Sequence, residues 1–517
     1  MNERQIRFRF TQDPLQNLAG AVRLRPPIKA SEKEATVAAS FDIETARAET
    51  KRIWRADIFN DLCQYIRIPC LSPGFDENWK ESGHLDAALN LLMEWCNSEA
   101  TFFYGGGLYL ERIELPGHTP ILLIEIPAYG DNPPPGTVLL YGHWDKQPEM
   151  TGWDQGLSAW EPVLRGDRLY GRGGADDGYA IFSAITSLRL LQEQRVPHAR
   201  CVILIEASEE SGSPHLPAYL EHLKERIGTP DLVICLDSSC VDYGHLCHTD
   251  SLRGVVMGNL RVQILTEGVH SGTAGGIVPS SFRIARQLLD RIENTVTGEL
   301  KLPEFYDQIR HESMQQLMAL VKVSGKGFLD ELPWVEGAQS HLEYPPDIYL
   351  LKRNWHPSLE IIGVDGIPPF KQAGNVLRPY TDLMLSMRLP PTVDPDVAAA
   401  ALKRALEENP PNGAKVTFTS KVNASGWAAP RLAPWLEESL KQASQTVFGK
   451  PLLIQGEGGT IPFMAMLGKK FPNAQFFVTG VLGPESHAHG PNEFLHVPTF
   501  INVTVCTAKV IADHARR

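Results

Sequence analysis

The sequence predicts an α/β fold, a mostly parallel sheet with helices on both faces, interrupted by a smaller inserted α+β domain. Three observations carry this reading. Near-continuous apolar runs at Thr137–Tyr141, Arg200–Glu206 and Asp231–Leu236 have the composition of strands buried on both faces. Helical periodicity at Tyr179–Glu193 and Leu216–Arg226 alternates with them, as βαβ units require. Between residues 255 and 424 the pattern changes, and from 425 to 517 the α/β alternation returns.

Taken in order, residues 1–40 lack periodicity, carry Arg-Pro-Pro at 25–27 and read as an N-terminal arm. The first part of the larger domain is expected over 41–254. It opens with a helical stretch, Phe41–Ile68, stopped by Pro69 and Pro73, and a second helix at His84–Cys96. Strands are expected at Leu108–Leu115, Pro120–Ile126 and Thr137–Tyr141, the last two separated by a Gly/Pro-rich turn. The inserted domain begins with a half-exposed strand, Val255–Leu265, and a helix, Pro279–Asn294. Strands Leu359–Gly363 and Leu383–Leu389, a helix Val397–Glu408 and a strand Ala414–Thr419 complete a β-α-β-β-α-β, ferredoxin-like order. Residues 297–357 interrupt that order and show no pattern from which a structure can be read. A helix over 432–447, a strand over 474–481 and a last helix after Pro498 close the larger domain.

Composition narrows the function. The net charge of -12 argues against a nucleic-acid backbone as partner. No apolar run reaches the roughly 18–20 residues that span a bilayer, and the start, MNERQIRFRF, lacks a signal-peptide core. The eight cysteines show no regular spacing, and Cys201, Cys235 and Cys506 lie in apolar runs, so reduced thiols and a cytoplasmic setting are expected.

Chemistry collects at strand ends. His143 and Asp145 follow the run at 137–141, Asp176 follows a Gly-rich turn, Glu209-Glu210 follow CVILIEAS, and Asp237 follows LVICL. His487, His489 and Glu493 follow the strand near 475–481. In a parallel sheet all carboxyl ends lie on one edge, so these groups converge despite their distance in sequence. One such histidine alone would be an ordinary structural residue. The whole set has the donor types of a metal site. Adjacent side chains in extended backbone point opposite ways, so one of Glu209 and Glu210 can bind metal while the other faces substrate as general base.

The set GHWDKQP, GRGGADD, EASEESGS, LDSS and HAHGPNE resembles the M20 metallopeptidase family, in particular its carnosinase and cytosolic nonspecific dipeptidase branch, from about residue 55 onward. The resemblance implies two divalent ions per subunit, Zn2+ or Mn2+. It assigns His143 and Asp237 to one ion, Glu210 and His489 to the other, and Asp176 to both. It makes Glu209 the general base, Asp145 the group that orients His143, and the Asp176–Asp177 peptide cis. It also implies that the inserted domain is a lid carrying a homodimer interface, from which His270 reaches the neighbouring active site to steady the oxyanion. Arg388, Asn375, Gly459 and Thr460 match positions that hold the substrate and its carboxylate. Two departures stand out: Gly178-Tyr179 where the family has Lys-Gly, and Gly456 where it often has Arg.

The expected function is therefore hydrolysis of the peptide bond of dipeptides or small peptides with a free carboxylate. An N-acyl amino acid amidohydrolase or glutamate-type carboxypeptidase is the alternative on the same scaffold. A non-catalytic binding or scaffold protein would be expected to have lost a ligand or the base, and none is lost here.

Overall fold

The computed structural model describes residues 40–517, apart from 105–106, 331, 341–342 and 460–461. Its main sheet has six strands in the order Tyr109–Ile113, Ile121–Ile126, Arg200–Glu206, Thr137–His143, Leu232–Cys235 and Gln475–Val478. The last four run parallel, while the first two pair antiparallel at the edge.

The apolar runs explain why this sheet is buried on both sides. Leu140, Ile203, Ile205 and Ile234 face a helical layer built from Ile43–Ile53, Phe59–Arg67, His84–Glu99, Tyr179–Glu193 and Val497–His514. Their neighbours in sequence, Leu139, Tyr141, Val202 and Val233, face the other way onto Leu216–His222 and the segment Phe463–Leu467. Tyr179–Glu193 is buried over every residue but its last. That fits a helix apolar all round, sandwiched between the sheet and the C-terminal helix. Truncating one such side chain, Leu140 to Ala, would cost about 2–5 kcal/mol. The first long helix is not continuous: Trp54–Ile58 forms a π-turn between its halves.

The β-α-β-β-α-β pattern forms a four-stranded antiparallel sheet, in the order Ser358–Asp365, Tyr380–Leu389, Gly254–Gln263 and Lys415–Ala424. Ser281–Leu289 and Pro395–Glu407 cover one face through Ile284, Leu288, Leu402 and Leu406. Sequence patterning missed a third sheet, in which Cys247–Leu252 lies between Trp427–Ala428 and Leu453–Glu457. Its central strand, CHTDSL, reads as polar, yet its residues are mostly buried because hydroxyls bond locally. The stretch 297–357 contains the helices His311–Ser324 and Pro346–Trp355, and the first packs on Leu453–Glu457. Among the described residues no helix is long and apolar enough to cross a membrane.

Candidate metal centre

His143 ends its strand at the carboxyl edge of the parallel sheet. Its Nδ1 lies 3.1 Å from the Asp145 carbonyl oxygen and 3.5 Å from the Asp145 carboxylate. A proton on Nδ1 leaves a lone pair on Nε2. That Nε2 is buried with no hydrogen-bond partner. It faces Asp176 Oδ1 at 3.4 Å, Asp237 Oδ2 at 3.9 Å and Glu209 Oε2 at 4.0 Å. A second group forms around His489, whose Nε2 is 3.1 Å from Asp176 Oδ2 and 3.2 Å from Glu210 Oε2. Asp176 thus turns one carboxylate oxygen towards each histidine.

The surrounding contacts hold these groups in place. The Asp145 carboxylate accepts from the backbone amides of Glu209 at 3.2 Å and Glu210 at 3.1 Å. Asp145 therefore steadies His143 and also clamps the turn that carries both glutamates. Gln147 donates to Glu210 Oε2 at 2.7 Å. Glu493 is fully buried, takes Arg172 Nη1 on one oxygen at 2.6 Å, and accepts the amides of Gly173, Ala175 and Asp176 on the other. Glu457 accepts from Ser238, Ser239 and Thr249 and so braces the loop after Asp237. The Asp176–Asp177 peptide is cis. Asp177, given no role by the sequence reading, accepts from the His143 amide at 3.2 Å. With His143 and Asp237 it forms a second set of donors close enough to share an ion.

The electrostatics fit a cation. Burial, then the Asp237 charge, push the Glu209 carboxyl well above its ordinary range. Burial and Asp176 likewise raise Glu210. Asp237 is pushed up to about 7, by burial first and by the Asp176 and Glu210 charges against the pull of His143. Burial also works against Asp176, but the two histidines hold it below the usual carboxylate range. Burial opposes charge on the histidines, yet the carboxylates raise His143 well above its ordinary value and His489 to about 11. So many carboxylates in one buried pocket, around an imidazole nitrogen with no partner, need a positive charge among them. A divalent metal ion would supply it, held by these residues.

A model of the peptidase family M20/M25/M40 matches residues 139–513, well over half of the chain. The chain belongs to that family. A cysteinylglycine-S-conjugate dipeptidase from Corynebacterium striatum is 24% identical to this peptidase over 395 residues, 75% of this chain and 82% of that protein. A Beta-Ala-His dipeptidase from Homo sapiens is 27% identical over 365 residues, 67% of this chain and 68% of that one. The solved dipeptidase Dug1p from Saccharomyces cerevisiae superimposes with a TM-score of 0.74 at 20% identity, covering 92% of this chain and 99% of its own.

In this M20 chain the remaining expected residues lie on other elements. His270 is exposed, ends a two-residue strand paired with Val376–Leu377, and accepts from the Gly272 amide at 3.1 Å. Asn375 is exposed, and its carbonyl accepts from the Ser271 amide at 2.9 Å. Arg388 sits in the four-stranded sheet opposite Ser358 on one side and Val255 on the other. Gly459 is exposed, and Thr460 falls outside the described residues. Position 456 is closely packed, since a Cβ there would meet Ser251 Oγ at 2.6 Å. Other arginines stand beside that loop. Arg253 donates to the Gly458 carbonyl at 3.0 Å and to Ser358 Oγ at 3.3 Å. It is drawn down to about 10 by burial and then by the Arg388 and Arg353 charges, so three guanidinium groups share this region. Sequence reasoning singled out Arg388 alone, because Arg253 and Arg353 sit in no motif it used.

Proposed function

We propose that the protein is a dinuclear metal-dependent dipeptidase acting on dipeptides or small peptides with a free carboxylate. The observation that carries this reading is the Asp176 carboxylate, with Oδ1 beside His143 and Oδ2 beside His489. That arrangement supports one ion at His143 and Asp237, another at Glu210 and His489, with Asp176 shared. Bound Zn2+ or Mn2+ would polarise the scissile carbonyl and lower the pKa of the attacking water.

The protein's own groups do the rest. Glu209, close to His143 and raised by burial, takes the proton from the attacking water and passes it to the leaving amine. Asp145 holds the Glu209 amide and the His143 ring, so base and ligand keep a common frame. Arg388, with Asn375, Gly459 and Thr460, grips the substrate carboxylate. The named substrates of the relatives, a cysteinylglycine conjugate and Beta-Ala-His, support a dipeptide over an N-acyl amino acid.

Residues 255–424 are read as the lid. The exposed position of His270 supports action on the active site of a second copy. Ile361, Ile362 and Val364 are about half exposed on the edge strand, and Phe370 is wholly exposed, which supports a homodimer through this unit. Eight buried free thiols support a reducing, cytoplasmic setting.

The test is Glu209→Gln assayed with a dipeptide panel and N-acetyl amino acids. Metal content should be unchanged and dipeptide turnover should fall about 10²–10⁴-fold. Retained turnover would remove Glu209 as base, and wild-type cleavage of N-acyl substrates alone would overturn the dipeptide assignment.

A further inference from the structure

A second cavity, of about 490 Å3, shares no residue with the metal centre. The first helix and its π-turn, the loop between Leu164 and Asp167, and the first turns of Val497–His514 enclose it. Arg47, Lys51 and Arg55 line it at a spacing of four residues, which stacks them on one helix face. Among the described residues none of the three makes an ion pair or a side-chain hydrogen bond, although the same helix pairs Arg52 with Glu49 at 2.7 Å. Asp167 is the one carboxylate in the lining.

Two lining residues also carry polar atoms left without partners. Arg47 Nε is buried and unbonded, and so is Oδ1 of Asn502, a residue only 7% exposed. Like charges stacked at this spacing repel, and buried polar atoms are normally bonded. A bound anion would neutralise the stack and give Arg47 Nε an acceptor, while Asn502 Oδ1, itself an acceptor, needs a donor such as an amino or hydroxyl group on the same ligand. Phe59, Leu164, Val497 and Ile501 add an apolar wall, and the volume lies in the range of small-molecule sites.

We infer that this cavity binds a nucleotide-sized organic phosphate. Its phosphates lie on Arg47, Lys51 and Arg55, its body lies against Phe59, Leu164 and Ile501, and Asn502 Oδ1 accepts from an amino or hydroxyl group of that body. Guanidinium forks match phosphate oxygens in pairs, which favours a phosphate over a monocarboxylate.

The experiment is calorimetric titration of the full chain with ADP, pyrophosphate and adenosine as probes. ADP should bind at least ten-fold more tightly than either fragment. Arg47→Gln and Arg55→Gln should each weaken ADP at least ten-fold, while Arg52→Gln, outside the cavity, should leave it unchanged. Thermal melts of all three variants check that the fold is intact. Absence of ADP binding at millimolar concentration would overturn the assignment. So would affinity indifferent to Arg47 and Arg55, the result expected if the nucleotide sits on the metals, and so would pyrophosphate binding as tightly as ADP.

Discussion

Glu493→Gln isolates one contact that holds the Asp176 turn. All three backbone amides, from Gly173, Ala175 and Asp176, bond to Glu493 Oε1. A glutamine oxygen can keep them. The other oxygen accepts from Arg172 Nη1 at 2.6 Å, and there the glutamine would put a donor against a donor. Arg172 is 1% exposed, so its charge would be left buried with only the Pro148 and Gly490 carbonyls. Breaking one side of a buried pair costs about 3–5 kcal/mol. Metal affinity should fall about 10–100-fold, the usual price of losing a group that orients ligands. Removing the stranded cation as well, in Arg172→Met/Glu493→Gln, should recover part of the stability. The assays are urea midpoints of the metal-free wild type, both single variants and the double, with metal affinity from competition against a chromophoric chelator. A single variant within about 1 kcal/mol of wild type, or a double whose loss equals the sum of the singles, would refute the argument.

Acid stability follows from two buried histidines that are not part of the candidate metal centre. Burial draws His198 and His248 down to about 4, whereas an unfolded histidine titrates near about 6.5. The unfolded chain then binds more protons between those values. Stability is full above about pH 6.5 and falls towards pH 4, by up to about 3 kcal/mol for each histidine. His198→Gln should flatten urea midpoint against pH over that window, and an unchanged slope would show that His198 is not buried neutral. Arg388→Ala should lower kcat/KM about 10–100-fold for dipeptides with a free C-terminus and have little effect on their amides; equal losses would end the clamp assignment. His270→Ala mixed with Glu209→Gln should regain activity above either variant alone, and no gain in verified mixed dimers would place His270 outside the partner's site.

What could be read in the sequence was what the main chain imposes. A strand buried on both faces, or a helix buried all round, must be apolar throughout, so the strand Arg200–Glu206 and the helix Tyr179–Glu193 were found with their observed ends. Because parallel strands end on one edge, His143, Glu209 and Asp237 could be grouped from their positions alone. Contacts between distant side chains leave no such trace. Arg172 and Glu493 are 321 residues apart, and nothing in GRGG or GPNE says that one side chain ends on the other. Cys247–Leu252 was missed because a strand buried through hydroxyl and carboxylate hydrogen bonds has the composition of a loop. The helix His311–Ser324 buries only Ser313, Leu317 and Leu320, too narrow a stripe to stand out.

The distribution of the site over two sheets also matters for the chemistry. The proposed metal ligands extend from the six-stranded sheet and its loops, whereas Arg388 belongs to the four-stranded sheet and His270 to the ribbon it forms with Val376–Leu377. The chain crosses to the four-stranded sheet at Arg253-Gly254 and returns after Ala424. The two crossings lie against each other. A Cβ on Gly254 would meet the Gly426 nitrogen at 2.8 Å, and one on Gly426 would meet the Leu252 carbonyl at 2.7 Å. Backbones can approach so closely only where both residues are glycine. The groups proposed to grip the substrate are thus joined to those proposed to activate water through a narrow double crossing centred on two glycines. Arg253, immediately before the first crossing, bonds the Gly458 carbonyl on the way out of the third sheet. A change in the angle of the four-stranded sheet would therefore act on the loop carrying Gly459 as well as on Arg388, and both ends of the proposed carboxylate clamp would move together.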